Sequence, residues 1–72
     1  MKKVFRLKDL DCANCAAKME RAINKIDGVN GATVSFMSQK LTVDADDHRF
    51  DSIMEEIAQV IKRVEPDCVI VR

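Results

Sequence analysis

Hydrophobic and polar residues alternate in some stretches of this 72-residue chain and recur with a helical period in others. Alternation is typical of half-buried strands, whereas apolar residues spaced three and four positions apart indicate an amphipathic helix. Strand character is found at 4–7, 32–36, 41–43 and 68–71, and helical character at about 13–26 and 49–63. The predicted order of elements is therefore βαββαβ.

The two predicted helices each have one apolar side. In the first, the apolar side consists of Ala16, Met19, Ala22, Ile23 and Ile26, and the intervening residues are expected to face water. In the second, it consists of Phe50, Ile53, Met54, Ile57, Ile61 and Val64. Gly28 suits the end of the first helix, and Pro66 prevents the second from continuing.

This order of elements predicts an α+β fold, a ferredoxin-like βαββαβ sandwich with a four-stranded antiparallel sheet and two helices on one face. The length predicts a single domain over residues 1–72. The usual rules of connection place three segments at one end of the sheet: residues 8–12, the hairpin 37–40 and the turn 65–67. The turn at 27–28 and the acidic loop 44–48 are expected at the other end.

The composition excludes several classes of protein. Twelve basic and twelve acidic residues give zero net charge, and the chain has three Phe but no Trp or Tyr. A nucleic-acid-binding domain of this size would have a basic excess and stacking aromatics. No apolar run reaches the roughly 20 residues that span a bilayer, and no signal peptide is visible. We expect a cytoplasmic protein that is not inserted in a membrane.

The candidate chemistry lies in the segment Asp11-Cys12-Ala13-Asn14-Cys15. Cys12 is predicted in a loop and Cys15 in the first turn of a helix, where the helix terminus lowers the thiol pKa and favours the metal-binding thiolate. Asp11 adds a carboxylate, which suits Zn²⁺ and other divalent ions but is of little use to Cu⁺. Two thiolates and one carboxylate also balance the charge of a divalent ion better than that of a monovalent one. The segment therefore predicts a divalent-metal site.

Other interpretations of these residues remain open. A cytosolic Cys-x-x-Cys motif beside a βα unit is also a redox pattern, although the Trp and Pro typical of thioredoxin-type motifs are missing. Asp11 equally suits a cap for the helix N-terminus.

Further potential ligands are sorted by their predicted position. Cys68 and Glu65 belong to the same end as the motif and are minor candidates; Cys68 more readily fits a packed strand residue. His48 belongs to the opposite end, where a solvated loop histidine is expected. Met37, in the hairpin, is expected to be open to solvent.

Together these features resemble a heavy-metal-associated domain. The resemblance covers nearly all of the chain: the strand 4–7, the segment 10–16, the following helix, Gly28-Val29 and the paired strands. It implies a ferredoxin-like fold and soft-metal binding through Cys12 and Cys15. Such domains occur as small cytosolic metallochaperones and as N-terminal domains of metal-transporting P-type ATPases.

The chain departs from the copper-binding members of that family at two places. It has Leu10-Asp11 where they typically have Met-Thr or Met-x, and its turn 64–67 lacks their aromatic residue or lysine. Asp11 resembles the third ligand of zinc-, cadmium- and lead-exporting ATPases, which implies Zn²⁺, Cd²⁺ or Pb²⁺ rather than Cu⁺. Leu10 would then be a core residue that anchors the loop.

The resemblance implies a monomeric cytosolic domain of a plasma-membrane transporter. Its partner would be the transmembrane part of a metal-transporting ATPase or a metallochaperone. Two alternatives stay open: a free-standing metallochaperone, with copper as one candidate cargo, and a thiol–disulfide oxidoreductase.

Overall fold

A computed structural model describes residues 1–71 and has the predicted order of elements. The strands are β1 (Lys2–Lys8), β2 (Val29–Ser35), β3 (Lys40–Ala45) and β4 (Val69–Val71). The helices are α1 (Ala13–Asn24) and α2 (Phe50–Val64), and a single 3₁₀ turn at Asp47–Arg49 precedes α2. The α+β ferredoxin-like fold is confirmed.

The four strands form one antiparallel sheet in the order β2-β3-β1-β4. Near its end, β1 pairs Arg6 with Lys40 of β3 and Lys8 with Val69 of β4. The β2–β3 hairpin and the turn before β4 therefore lie at the same end of the sheet as the loop that follows β1. The sequence predicted that these three segments share one end of the sheet.

The core lies between one face of the sheet and the two helices. Its largest fully buried side chains are Leu10, Met19, Ile23, Leu41, Val43, Ile53, Ile57 and Ile61. On the opposite face of the sheet, Val4 is 60% and Val69 54% exposed. Both helices thus cover one face of the sheet. Every second side chain of each strand points to that face, and these are the apolar ones.

The predicted end of α1 is wrong by two residues, since the helix stops at Asn24 rather than Ile26. The Asn24 side chain explains this. Its Nδ2 donates to the carbonyl of Glu20 at 2.8 Å and to that of Ala32 at 2.9 Å, and its Oδ1 accepts from the Ala32 N–H at 2.9 Å. The polar side chain thus links the end of the helix to β2, and its hydrogen bonds to the backbone compete with the bonds that would extend the helix.

The prediction that the polar side of α1 only faces water is also wrong at Glu20. Its Oε1 accepts a hydrogen bond from the backbone N–H of Val34 at 2.9 Å. Glu20 and Asn24 therefore satisfy backbone groups of β2 that have no strand partner, since β2 is an edge of the sheet. Strand β2 itself begins at Val29, earlier than the predicted residue 32, because an irregularity in its register between Val29 and Gly31 interrupts the alternation.

Candidate metal centre

The two cysteines of the motif meet at the start of α1. Cys12 is the N-cap residue, in an extended conformation with φ −131° and ψ 118°. Its Sγ accepts a hydrogen bond from the backbone N–H of Cys15 at 3.2 Å. Both side chains are half-buried. The thiol of Cys12 thus takes the place that a Ser or Asp side chain occupies at many helix starts, and this bond brings the two residues together.

The two thiols have different proton affinities. The pKa of Cys12 is lowered, first by a hydrogen bond from the Cys15 side chain and then by the backbone N–H groups of Cys15 and Asn14. The pKa of Cys15 is raised to about 11, first by its hydrogen bond with Cys12, then by burial and by the neighbouring Glu65. The expectation that the helix terminus lowers the thiol pKa therefore holds for Cys12 and is wrong for Cys15 in the metal-free pair, because the second ionisation would place two negative charges side by side.

Asp11 lies immediately before the cysteine pair, and its side chain is exposed. The alternative role as helix cap is not the one it has, because the cap position belongs to Cys12. Within residues 1–71, no group of three or more His, Cys, Asp or Glu side chains is arranged to hold a metal ion.

Glu65 is the second carboxylate at this site. It occupies the turn between α2 and β4, where its N–H donates to the carbonyl of Ile61 at 2.8 Å and its carbonyl accepts from the N–H of Cys68 at 3.0 Å. Its side chain lies close enough to Cys15 to raise the pKa of that thiol. The structure thus brings a minor candidate of the sequence close to one of the two main ones.

Cys68 lies beneath the same end of the sheet and is 5% exposed. Burial raises its pKa, and the charges of Glu65, Asp9 and Asp11 raise it further. This agrees with the expected packed thiol.

Two other potential ligands have the expected surroundings. His48 is exposed in the 3₁₀ turn at the opposite end, where its N–H donates to Asp46 Oδ1 at 3.1 Å. Met37 is 92% exposed at the hairpin.

Gln39 is a residue of this site that the sequence pattern did not reveal. Its side-chain Oε1 accepts from the Leu10 N–H at 3.1 Å, and its Nε2 donates to the Leu10 carbonyl at 2.7 Å. The Leu10 side chain is 2% exposed, which confirms that it anchors the loop in the core. The predicted topology put the hairpin at this end, but no local signal marks a side chain whose partner is 29 positions away.

Comparison with known proteins identifies the family. The model of the heavy-metal-associated domain matches residues 4–67. The chain belongs to this family. The domain is 35% identical over 66 residues to the cadmium, zinc and cobalt-transporting ATPase of Bacillus subtilis (strain 168), which is 92% of this chain but 9% of that protein. It is 45% identical over 42 residues to the zinc/cadmium/lead-transporting P-type ATPase of Escherichia coli (strain K12), covering 58% of this chain and 6% of that protein.

Solved structures share the fold of this heavy-metal-associated domain. The CopZ metallochaperone superposes with a TM-score of 0.73 at 23% identity, covering 99% of this chain and 100% of the other. The yeast copper transporter domain CCC2A superposes with a TM-score of 0.74 at 18% identity, covering 99% and 94%.

The domain is thus a non-enzymatic heavy-metal-binding module that is similar to a part of metal-transporting P-type ATPases. It spans less than a tenth of the length of the two ATPases named above. Neither helix in residues 1–71 has the length and apolar character needed to cross a membrane.

Proposed function

We propose that this domain binds Zn²⁺, Cd²⁺ or Pb²⁺ through Cys12, Cys15 and Asp11, and that it delivers the ion to, or regulates, a metal-exporting P-type ATPase. The observation that carries the proposal is the placement of carboxylates around the thiol pair. Asp11 adjoins Cys12 in the chain, and Glu65 lies close enough to Cys15 to raise the pKa of that thiol. Soft sulfur with hard oxygen suits these divalent ions, whereas two thiolates alone satisfy Cu⁺.

Charge balance favours the same group of ions. A divalent ion that displaces the proton of Cys15 leaves two thiolates beside Asp11 and Glu65. The charge of Glu65 disfavours a second uncompensated thiolate, and a doubly charged cation reverses that effect more fully than Cu⁺ does.

The similar ATPases support the divalent assignment. Their names include cadmium, zinc, cobalt and lead. The yeast copper transporter domain CCC2A is 18% identical to this domain, so its likeness concerns the fold.

The exposure of the site suits an ion that is handed on. Asp11 is exposed and the two cysteines are only half-buried, so a ligand from an acceptor can approach the bound ion. Three protein ligands leave a fourth tetrahedral position for that incoming ligand. Transfer would then proceed by ligand exchange, with no covalent chemistry in the domain.

We place the domain on the cytoplasmic side, as a single monomeric unit over residues 1–72. Its partner is the transmembrane part of a metal-transporting ATPase or a metallochaperone, and nucleic acid is not a partner. The gene sequence tests this: a reading frame that continues into membrane-spanning segments supports the ATPase assignment. A stop codon directly after residue 72 would favour the free-standing metallochaperone instead.

Titration tests the choice of ion and ligands. Zn²⁺, Cd²⁺, Pb²⁺ and Cu⁺ affinities are measured by competition with chelators for the wild-type domain and for Asp11→Asn. We expect Asp11→Asn to weaken divalent binding by at least about tenfold and to leave Cu⁺ binding unchanged. Asp67→Asn is the matched control, because it removes the same charge from an exposed residue at the same end of the fold.

Glu65→Gln extends the titration to the other carboxylate. If only Glu65→Gln weakens divalent binding, the third ligand is Glu65 and the role of Asp11 is wrong. If neither variant changes divalent affinity, sulfur alone holds the ion and the preference for divalent ions loses its basis.

A further inference from the structure

We propose that Gln39 is a positioning residue for the metal centre. Its side-chain amide clamps the backbone of Leu10 and so fixes where the next two residues, Asp11 and Cys12, present their ligands. The metal-binding part of this inference rests on the function proposed above, whereas the clamp itself rests on hydrogen bonds of the described structure.

The clamp is a two-point pairing between an amide side chain and one residue of the backbone. Oε1 accepts from the Leu10 N–H at 3.1 Å while Nε2 donates to the Leu10 carbonyl at 2.7 Å. Nε2 also donates to the Phe36 carbonyl at 2.9 Å, which orients the side chain from its own hairpin. Both amide hydrogens of Gln39 are therefore engaged, and only this orientation of the amide gives a donor to each carbonyl and an acceptor to the N–H.

The main chain of Gln39 adds a further bond at the same place. Its carbonyl accepts from the Leu7 N–H at 2.7 Å, at the end of β1. Together with the buried Leu10 side chain, these bonds hold the start of the metal-binding loop from the hairpin on one side and from the core on the other.

The position of Leu10 in the chain makes the clamp relevant to the ligands. The clamped carbonyl belongs to the peptide group that joins Leu10 to Asp11. Because a peptide group is planar, fixing its oxygen fixes the direction in which Asp11 continues the chain. Cys12 follows one residue later and is held from its other side by the hydrogen bond between its Sγ and the Cys15 N–H. Asp11 is thus the single residue between two fixed points.

The backbone conformation of Gln39 is independent evidence that its side chain matters. Its φ is 55°, in the left-handed region, and Asp9 on the other side of the clamp has a φ of 63°. Glycine adopts such a conformation without a steric penalty, and Asn or Asp do so more readily than most residues. Glutamine is strained in this backbone conformation, but its amide reaches the Leu10 backbone. Glycine would avoid the strain and could not form these hydrogen bonds.

The same kind of pairing at the far end of the domain provides a matched control. The amide of Asn24 donates to the Ala32 carbonyl and accepts from the Ala32 N–H, both at 2.9 Å. Ala32 lies in the central part of β2, and Asn24 ends the helix whose other terminus carries the cysteines. Removing this pair removes similar hydrogen bonds without touching the metal-binding loop.

The test compares Gln39→Met with Asn24→Leu, since each replaces an amide by an apolar side chain of similar size. Three quantities are measured: the free energy of unfolding in urea, the hydrogen-exchange rate of the Leu10 amide in the metal-free domain, and the Cd²⁺ affinity. We expect Gln39→Met to speed exchange at Leu10 by about tenfold or more and to weaken Cd²⁺ binding by about tenfold. Asn24→Leu is expected to lower stability while leaving both other quantities at the wild-type values.

Gln39→Gly separates positioning from folding. It relieves the left-handed backbone at residue 39 and keeps the hairpin, but it lacks the amide, so its Cd²⁺ affinity is expected to fall as far as that of Gln39→Met. The proposed role of Gln39 would be wrong if Gln39→Met and Gln39→Gly both kept the wild-type Cd²⁺ affinity. It would also be wrong if their loss of affinity were no larger than that of Asn24→Leu.

Failure of the proposed function gives a different pattern of results. In that case the wild-type domain itself binds Cd²⁺ no better than a variant without Asp11. The role of Gln39 is then tested by the hydrogen-exchange rate of the Leu10 amide and by the Cu⁺ affinity in the same set of variants. Unchanged values for Gln39→Met in both measurements would reject it.

Discussion

At the scale of single residues, the two thiols of the metal-free site differ in pKa. Cys12 has a lowered pKa and Cys15 a pKa raised to about 11, and the largest cause for each is the hydrogen bond between them. Cys12 is therefore the thiol that ionises first. Cys15 becomes a ligand only after its proton has left.

This difference predicts how metal affinity depends on pH. Between the lowered pKa of Cys12 and about pH 11, binding releases one proton from Cys15, so affinity should rise about tenfold per pH unit. Below the pKa of Cys12 a second proton is released, and the slope should approach about a hundredfold per unit. Cd²⁺ affinity, measured from about pH 6 to pH 9 against a chelator of known proton affinities, checks the prediction. A flat profile would show that both thiols are already ionised.

At the scale of elements, the turn between α1 and β2 depends on a glycine that packs against α2. Gly28 has a φ of +95°, and a Cβ at this position would lie 2.7 Å from Cδ1 of Ile53, a residue that is 1% exposed. The backbone conformation disfavours a side chain here, and the packing would force the Ile53 side chain to shift. The helix end and the docking of α2 are therefore coupled at one residue.

Gly28→Ala is expected to lower the free energy of unfolding by about 2 kcal/mol or more, from backbone strain together with the displaced Ile53 side chain. Urea unfolding followed by circular dichroism measures the change. Gly31→Ala is the control, because no atom lies within 4 Å of its added Cβ and its φ is ordinary. It should change stability by no more than about 0.5 kcal/mol. Equal losses in the two variants would contradict this account of the turn.

At the scale of the whole molecule, stability and metal binding are linked. A chain of 72 residues has a thin core, and the site joins segments from three parts of the fold: the loop after β1, the β2–β3 hairpin and the turn before β4. An ion that binds this assembled site stabilises the folded state and leaves the separated segments of the unfolded chain with a weaker site.

Saturating Cd²⁺ is therefore expected to raise the free energy of unfolding, by about 4 kcal/mol when the free ion exceeds its dissociation constant a thousandfold. The urea midpoint with and without Cd²⁺ measures this effect. Cys12→Ser combined with Cys15→Ser should abolish the increase while keeping the metal-free fold. An equal increase in the double variant would place the ion elsewhere on the molecule.

The sequence by itself determined the order of elements, the ends at which the loops lie, and the cysteine pair with its neighbouring carboxylate. These features are local, because alternation, helical period and a Cys-x-x-Cys spacing are each contained in a few consecutive residues. The same locality explains the errors: the early end of α1 depends on the contact of Asn24 with β2, and the start of β2 on a register that only pairing with β3 defines.

The tertiary structure alone decided how the site is assembled. It assigned the cap to Cys12 instead of Asp11, placed Glu65 against Cys15, and joined Gln39 to Leu10 across 29 positions. It also gave the two thiols opposite pKa shifts, which no spacing reveals. The physical reason is that proton affinity and backbone orientation depend on which groups come within hydrogen-bonding distance, and only the packing of the helices on the sheet determines those neighbours.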